Sequence, residues 1–171
     1  MTVLPNAILV TDTSVLVNFL RIDRMELLGA LPCRFIVTDH AAGELTDFYP
    51  EQVERYHAAL AAGHVEACTV TDEMALDIFG QLTGTTRLGV GESATIAHAM
   101  VIDAGVAIDD RRAITEAQRI AEGLVIVRTA DLMVQMIERA MMTVAEADAI
   151  KEDWAANHRF RIPVCSFAEM M

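Results

Sequence analysis

Near its start the chain reads Ile8-Leu9-Val10-Thr11-Asp12-Thr13-Ser14-Val15-Leu16-Val17-Asn18-Phe19-Leu20. The apolar run from Ala7 to Thr11 has the length and composition of a buried β-strand. From Ser14 to Ile22 the apolar residues instead recur at helical spacing. This segment therefore predicts a strand followed directly by a helix, with Asp12 at the junction.

The same alternation of short apolar runs and helical segments continues along the chain. Four further runs predict strands: Arg34 to Thr38, Val65 to Val70, Val106 to Ile108 and Val125 to Arg128. Repeated strand and helix predict an α/β fold, in which helices cover both faces of a parallel sheet. We therefore expect a three-layer α/β/α domain with a central parallel sheet of four to five strands.

Two other segments carry local signals. Thr143-Val144-Ala145-Glu146 has the capping-box pattern, which predicts a helix from there to about Ala156, anchored by Trp154. The glycine-bearing segment 84–91 has neither a P-loop lysine nor a dinucleotide fingerprint, and it predicts a connecting loop.

Composition predicts one globular domain over residues 1–171, since 53% of the residues are hydrophobic and 22% are charged. No apolar run reaches about 18 residues, so we expect no membrane span. The three cysteines, Cys33, Cys68 and Cys165, lie far apart and are expected to be reduced core residues of a cytoplasmic protein. The formal net charge of -12 disfavours nonspecific attraction to nucleic acid or anionic lipid.

Acidic residues follow several of the predicted strands. Asp12 comes directly after the first strand, and Asp109 and Asp110 come after Val106 to Ile108. Glu44 lies just beyond the second strand, and Glu92 opens a predicted helix. Because ligands bind beyond the carboxyl ends of parallel strands, these side chains are expected to meet in one crevice.

Each of these acids, taken alone, is explained as a helix cap or as a partner of a helix dipole. Four carboxylates gathered at one edge of an apolar sheet would repel one another unless cations shared them. Hard oxygen ligands without His or Cys favour Mg²⁺ or Mn²⁺. The pattern as a whole therefore predicts a divalent-metal site.

The sequence resembles the PIN-domain family, and within it the VapC-like and DUF3368-like proteins. Four blocks carry the resemblance in the family's order: residues 8–20, residues 35–45, Gly91-Glu92-Ser93-Ala94-Thr95-Ile96-Ala97, and Ala107-Ile108-Asp109-Asp110-Arg111-Arg112-Ala113. Together they span most of the chain. Glu92 matches the DUF3368-like branch, since many other relatives have Asp at that position.

The resemblance implies a metal-dependent endoribonuclease that hydrolyses RNA. Many members of the family are toxins of toxin-antitoxin pairs, which implies a cognate antitoxin as partner. It implies that the metal-binding and catalytic carboxylates are Asp12, Glu44, Glu92 and Asp109. Asp110 competes with Asp109 for the fourth place, because the strand end aligns one residue either way. Ser14 is expected to hydrogen-bond Asp12, and Asn18, one helical turn later, to face the site.

Arginines near these acids are candidates for contact with RNA. Arg111 and Arg112 follow the predicted strand end at Asp109 and Asp110, and Arg87 precedes Glu92. Guanidinium groups at these positions are suited to bind a phosphate close to the metal. The family resemblance, together with the apolar helices Met74 to Phe79 and Met133 to Met142, also predicts a homodimer.

Two other interpretations compete with the nuclease. A response-receiver-like or phosphatase-like domain also gathers acids at strand ends, but it needs a lysine near a strand end, and Lys151 lies in a predicted helix. The stronger alternative is a PIN fold that is catalytically idle and serves as a binding or assembly module.

The five histidines share no metal-ligand spacing, and His98 is expected to be a buried polar residue.

Overall fold

The computed structural model describes residues 7–46 and 48–171. Its five strands are β1 (Ala7–Thr11), β2 (Cys33–Thr38), β3 (Glu66–Cys68), β4 (Gly105–Ala107) and β5 (Ile126–Val127). They form one parallel sheet in the order β3-β2-β1-β4-β5. The chain builds outward from β1 to β3 and then returns to the other side of β1, so the strand order reverses between β1 and β4. Ligands bind at such a reversal in open parallel sheets.

The helices are α1 (Thr13–Arg21), α2 (Glu26–Gly29), α3 (Asp39–Ala42), α4 (Pro50–Ala61), α5 (Glu73–Thr85), α6 (Val90–Val101), α7 (Arg111–Ile120), α8 (Thr129–Glu138) and α9 (Val144–Asn157). A short 3₁₀ helix, Phe167–Met170, follows near the end of the chain.

The sheet is buried on both faces, as its nearly continuous apolar strands require. Successive side chains of β1 point to opposite faces, so Leu9 packs into one core and Val10 into the other. The first core receives apolar side chains from α1, α2, α4, α8 and α9. The second lies under α5, α6 and α7. These two helical layers confirm the three-layer α/β/α prediction.

The C-terminal helix begins where the sequence predicts. Thr143 Oγ1 accepts a hydrogen bond from the Glu146 backbone N–H, and the Glu146 carboxylate accepts one from the Thr143 N–H. Trp154 is fully buried and its indole Nε1–H donates to the Asn18 carbonyl at 2.9 Å, which ties α9 to α1.

Several predicted boundaries were wrong in detail. β3 covers only Glu66–Cys68 of the expected Val65 to Val70, and β5 is only two residues long. The expected loop at 84–91 shrinks to residues 86–89, because α5 runs to Thr85 and α6 starts at Val90. Gly84 and Gly91 lie inside these helices, in the last turn of α5 and the first turn of α6.

Other expectations concern burial. Cys165 is exposed and Cys33 and Cys68 are only partly buried, so the cysteines are not core residues, although all three are free thiols.

The apolar stripe of α8 packs inside this chain, with Met133 and Met136 fully buried, and so lends no support to a dimer interface. His98 is buried, as predicted. In the described part of the chain, no helix combines the length and apolar character needed to cross a membrane.

Candidate active site

The reversal between β1 and β4 brings Asp12 to the middle of the sheet edge. Its backbone N–H donates to the Ala107 carbonyl at 2.9 Å, which extends the pairing of β1 with β4 by one residue. Its side chain then caps α1, because Oδ2 accepts from the Ser14 N–H at 3.0 Å and from Ser14 Oγ at 2.6 Å. The predicted Ser14–Asp12 hydrogen bond is therefore present.

The other oxygen of Asp12, Oδ1, is buried and has no hydrogen-bond partner among the described residues. Burial raises the pKa of Asp12 to about 6, the Ser14 hydrogen bonds oppose this rise, and the charges of Glu92 and Glu44 add to it. An unpaired buried carboxylate oxygen is costly unless a cation or a donor reaches it. Asp12 is thus a position where a positive charge would be strongly stabilised.

Glu44 reaches the site from the turn after α3. Its Oε1 accepts from the Gly91 N–H at 2.9 Å, at the start of α6. A Cβ on residue 91 would lie only 2.5 Å from Glu44 Oε1, so glycine is needed for this approach.

Glu92 occupies the third position of α6, and its Oε2 accepts from the Gly89 N–H at 2.8 Å. Burial raises the pKa of Glu92, the Gly89 hydrogen bond lowers it, and the charges of Asp110 and Glu44 raise it further. These electrostatic effects link Glu92 with the other acids of the site. Because Glu92 accepts from the Gly89 N–H, it also caps α6, as the helix-cap explanation of this residue expects.

Asp109 and Asp110 point in different directions. Asp110 Oδ1 caps α7 by accepting from the Arg112 and Ala113 N–H groups at 2.8 and 3.0 Å, and its side chain lines the same cleft as Asp12. Asp109 is turned behind the cleft: its Oδ1 accepts from the Thr129 N–H at 3.0 Å, and its Oδ2 accepts from Thr129 Oγ1 at 2.6 Å and from Asn18 Nδ2 at 3.1 Å.

The electrostatics of Asp109 agree with this orientation. Burial raises its pKa and the Thr129 hydrogen bonds lower it, while the charges that act on it are those of Arg128 and Asp131. Of the two alternatives that the sequence leaves open, Asp110 therefore lies with Asp12, Glu44 and Glu92, and Asp109 is a fully hydrogen-bonded residue beneath them.

The acids line a cleft of about 1120 Å³. Ser14, Asn18, Arg87 and Arg112 line it too, whereas Arg111 is exposed and does not. Among the residues that the structure describes, five acids and five arginines line the cleft: Asp12, Glu44, Glu51, Glu92, Asp110, Arg21, Arg55, Arg87, Arg112 and Arg159. The lining thus has no formal net charge, and the -12 of the chain falls on residues outside it.

Some residues of this region escaped the sequence analysis. Thr129 lies two residues after β5, at the start of α8, and a hydroxyl at that position carries no sequence signal of contact with Asp109. Arg21, Arg55 and Arg159 enter the cleft from parts of the chain that show no motif, so only tertiary structure reveals them.

The available ligands suit Mg²⁺ or Mn²⁺, since they are carboxylate oxygens and Asp12 Oδ1 is free to coordinate an ion. As they stand, the described side chains include no group of three or more His, Cys, Asp and Glu residues arranged to hold a metal ion. A bound ion therefore requires side-chain movement, for which the exposed Glu44 is suited.

Comparison with known proteins adds family evidence. The family described as "DUF3368: PIN domain" matches residues 8–166. No curated protein matches the chain significantly. Among solved structures, the chain is similar to VapBC2 from Rickettsia felis bound to a DNA fragment from their promoter, with 14% identity and a TM-score of 0.52 over 71% of this chain and 98% of the other. At that identity, the likeness concerns the fold alone.

Proposed function

This chain belongs to the DUF3368 family of PIN domains, and we propose that it is a metal-dependent endoribonuclease that hydrolyses RNA phosphodiesters. The observation that carries the proposal is Asp12 Oδ1, a buried and unpaired carboxylate oxygen in a cleft that Glu44, Glu92 and Asp110 also line. Asp12, Glu44, Glu92 and Asp110 are the residues proposed to hold Mg²⁺ or Mn²⁺.

Each neighbouring residue has a defined part in this proposal. Ser14 fixes the Asp12 carboxylate through two hydrogen bonds, so that Oδ1 is the oxygen left for the ion. Asn18 and Thr129 hold Asp109 and thereby the end of β4 next to it. Arg87 and Arg112 supply guanidinium groups for the phosphate in the cleft. When bound, the ion lowers the pKa of water and stabilises the leaving oxygen of a phosphodiester.

Cleavage of labelled single-stranded RNA, with manganese and then with excess EDTA, tests this function. We expect cleavage with manganese, none in EDTA, and a loss of about a hundredfold or more in Asp12→Asn, because even residues around a metal ligand cost about 10- to 100-fold when replaced. Asp103→Asn is a matched control, since Asp103 is exposed, lies outside the cleft and has a positive φ that asparagine accepts. Equal cleavage by Asp12→Asn and the wild type would refute the proposal.

Metal binding itself has a readout that does not depend on activity. An ion that binds the native state at a concentration one hundred times its Kd adds about 2.7 kcal/mol of stability. For a chain of this size, that corresponds to a rise in Tm of roughly 5–10 °C. No rise in Tm and no heat of binding with manganese would exclude the metal site.

The catalytically idle module remains the competing function, and particular contacts favour it. Glu92 and Asp110 both cap helices, and Glu44 is bonded to the Gly91 N–H, so three of the four acids have structural partners. Metal binding without any RNA cleavage would support the idle module over the nuclease.

A protein antitoxin and a second copy of the chain are the proposed partners, by analogy with VapC-like proteins. The exposed Met74 and Leu76 on α5 are apolar surface that suits either partner. Light scattering of the purified chain, and co-purification with the product of a neighbouring small gene, test the two separately.

A further inference from the structure

The cleft has two arginine-bearing sides that belong to different layers of the fold. Arg87 and Arg112 come from the loop before α6 and from α7, which cover one face of the sheet. Arg21, Arg55 and Arg159 come from α1, α4 and the turn after α9, whose helices cover the other face. The acids at the ends of β1 and β4 lie between these two sides.

The turn after α9 is held firmly in place. The Phe160 N–H donates to the Trp154 carbonyl at 3.2 Å, and the two rings meet edge to face with centroids 5.5 Å apart. Arg21 donates from a guanidinium N–H to the His158 carbonyl at 3.1 Å. Arg159, between these anchored residues, has a φ of 55°, an unfavourable conformation for a residue with a side chain. The surrounding contacts thus fix where the Arg159 side chain emerges.

Two of these three arginines have unneutralised charge. Arg55 pairs with Asp23 at 3.4 Å and donates to the Leu20 and Arg21 carbonyls, so it has structural partners. Neither Arg21 nor Arg159 forms an ion pair with any carboxylate of residues 7–46 and 48–171. In a chain of charge -12, two guanidinium groups in one cleft without an ion pair, Arg21 with the His158 carbonyl as its acceptor, mark a place for an external anion.

We propose that Arg21 and Arg159 form a second phosphate-binding site, which holds a phosphodiester of the RNA strand away from the one that is cleaved. This inference rests on the proposed function for the identity of the ligand. The strand runs from Arg87 and Arg112, over the acids, to Arg21 and Arg159.

An exposed aromatic side chain favours a single strand along this path. Tyr49, which is 55% exposed, lines the cleft. Unpaired bases stack on such rings, whereas the bases of a duplex are already stacked on one another. The ligand class of the second site is therefore the sugar-phosphate backbone of single-stranded RNA.

Fluorescence anisotropy with labelled single-stranded RNA of about 12 nucleotides tests this site, because site sizes for single strands run from about 4 to 16 nucleotides. We expect Arg159→Ala to bind about three- to fivefold more weakly, as for loss of an exposed ion pair. The slope of log affinity against log salt should become shallower by about 0.7, the value for one phosphate contact with a single strand. Arg161→Ala is the matched control, since Arg161 is exposed two residues away and lies outside the cleft lining.

RNA length distinguishes this site from the acidic centre. An RNA of about three nucleotides, shorter than the smallest typical single-strand site, should bind Arg159→Ala and the wild type equally if it occupies only the acidic end. Equal effects of Arg159→Ala and Arg161→Ala on the longer RNA, or no effect of either, would overturn the second site. Binding that depends on Arg159 without any cleavage would leave the second site standing and remove the nuclease. Cleavage together with binding that does not depend on Arg159 would support the nuclease and overturn the second site.

Discussion

Asp12 and Asp109 follow the two central strands of the sheet, and burial raises the pKa of both carboxyl groups. Asp109 has donors on both of its oxygens, from Thr129 and Asn18. Asp12 has donors on one oxygen only, and its second oxygen is buried without a partner. Two acids that follow neighbouring strands can therefore differ in their free hydrogen-bonding capacity. Under the proposed function, that capacity assigns Asp12 to the ion and Asp109 to the support beneath it.

The two strand ends are also coupled. Ser14 Oγ donates to Asp12 and accepts from the Asp109 N–H at 3.3 Å, so one hydroxyl contacts both. Movement of β4 relative to β1 would therefore disturb the Asp12 carboxylate. The Asp109–Thr129–Asn18 hydrogen bonds restrain that movement from below the cleft.

The largest expected effect comes from Asp12→Asn in metal-free protein. Because the pKa of Asp12 rises from 3.8 to about 6 on folding, the native state holds its proton more tightly than the unfolded state, and stability falls as pH rises through that window. Asparagine caps a helix as well as aspartate does and carries no charge. We expect the free energy of unfolding of Asp12→Asn to exceed that of the wild type by up to roughly 3 kcal/mol above about pH 6. Below that pH, the stability of the variant should fall less steeply with rising pH.

Urea unfolding in EDTA, followed across this pH range, measures the gain. Asp103→Asn serves again as the control and should change little. A metal-free Asp12→Asn protein that is less stable than the wild type above pH 6 would contradict the expected gain.

The next effect compares Asp110→Asn with Asp109→Asn in RNA cleavage. Asp110→Asn keeps its cap on α7 but loses a proposed ligand, so activity should drop about a hundredfold, the upper end for residues near a metal. Asp109→Asn should cost less than about tenfold in activity. It should also lower stability by about 1–3 kcal/mol, since an amide donor would face the Asn18 amide. The opposite ranking of the two activities would restore Asp109 as the ligand.

A smaller effect is expected from Thr129→Val, which removes the hydroxyl that donates to Asp109 at 2.6 Å. A hydrogen bond to a charged group contributes about 1.5–3 kcal/mol, so Tm should fall by roughly 3–12 °C. Thr115→Val on the exposed face of α7 is the control, because its hydroxyl bonds only the Arg111 carbonyl within its own helix. Identical Tm values for the two variants would argue that Asp109 needs no hydroxyl partner.

The smallest effect concerns Gly91→Ala. The new Cβ would displace the Glu44 carboxylate, but that group is the end of a flexible chain, so stability should shift by less than about 1 kcal/mol. Manganese affinity should drop about tenfold, as for displaced groups around a metal. Calorimetry of manganese binding to Gly91→Ala checks this, with Gly84→Ala as the control. The new Cβ of Gly84→Ala enters open space. Unchanged affinity would remove Glu44 from the proposed ligands.

The sequence predicted the layers and the strands because both depend on local apolar patterns. It also predicted that Asp12, Glu44 and Glu92 lie near one another, because segments beyond the carboxyl ends of parallel strands share one edge, and all three line the cleft. Their role in metal binding stays a prediction. It left Asp109 and Asp110 unresolved because a shift of one residue at a strand end reverses the side chain, and only the hydrogen bonds to Thr129 settle the direction. Arg21 and Arg159 were missed because their meeting depends on how α9 packs against α1.

The separation of charge described above, with a neutral cleft in a chain of charge -12, would govern how quickly the proposed RNA substrate arrives. A polyanion would be repelled where it comes within a Debye length, about 10 Å at 0.1 M salt, of the acidic outer surface, and this distance is longer in dilute buffer. Added salt should therefore speed association while it also speeds dissociation from the arginines. Encounter would thus be slowest in dilute buffer, the reverse of the usual behaviour of a nucleic-acid-binding protein.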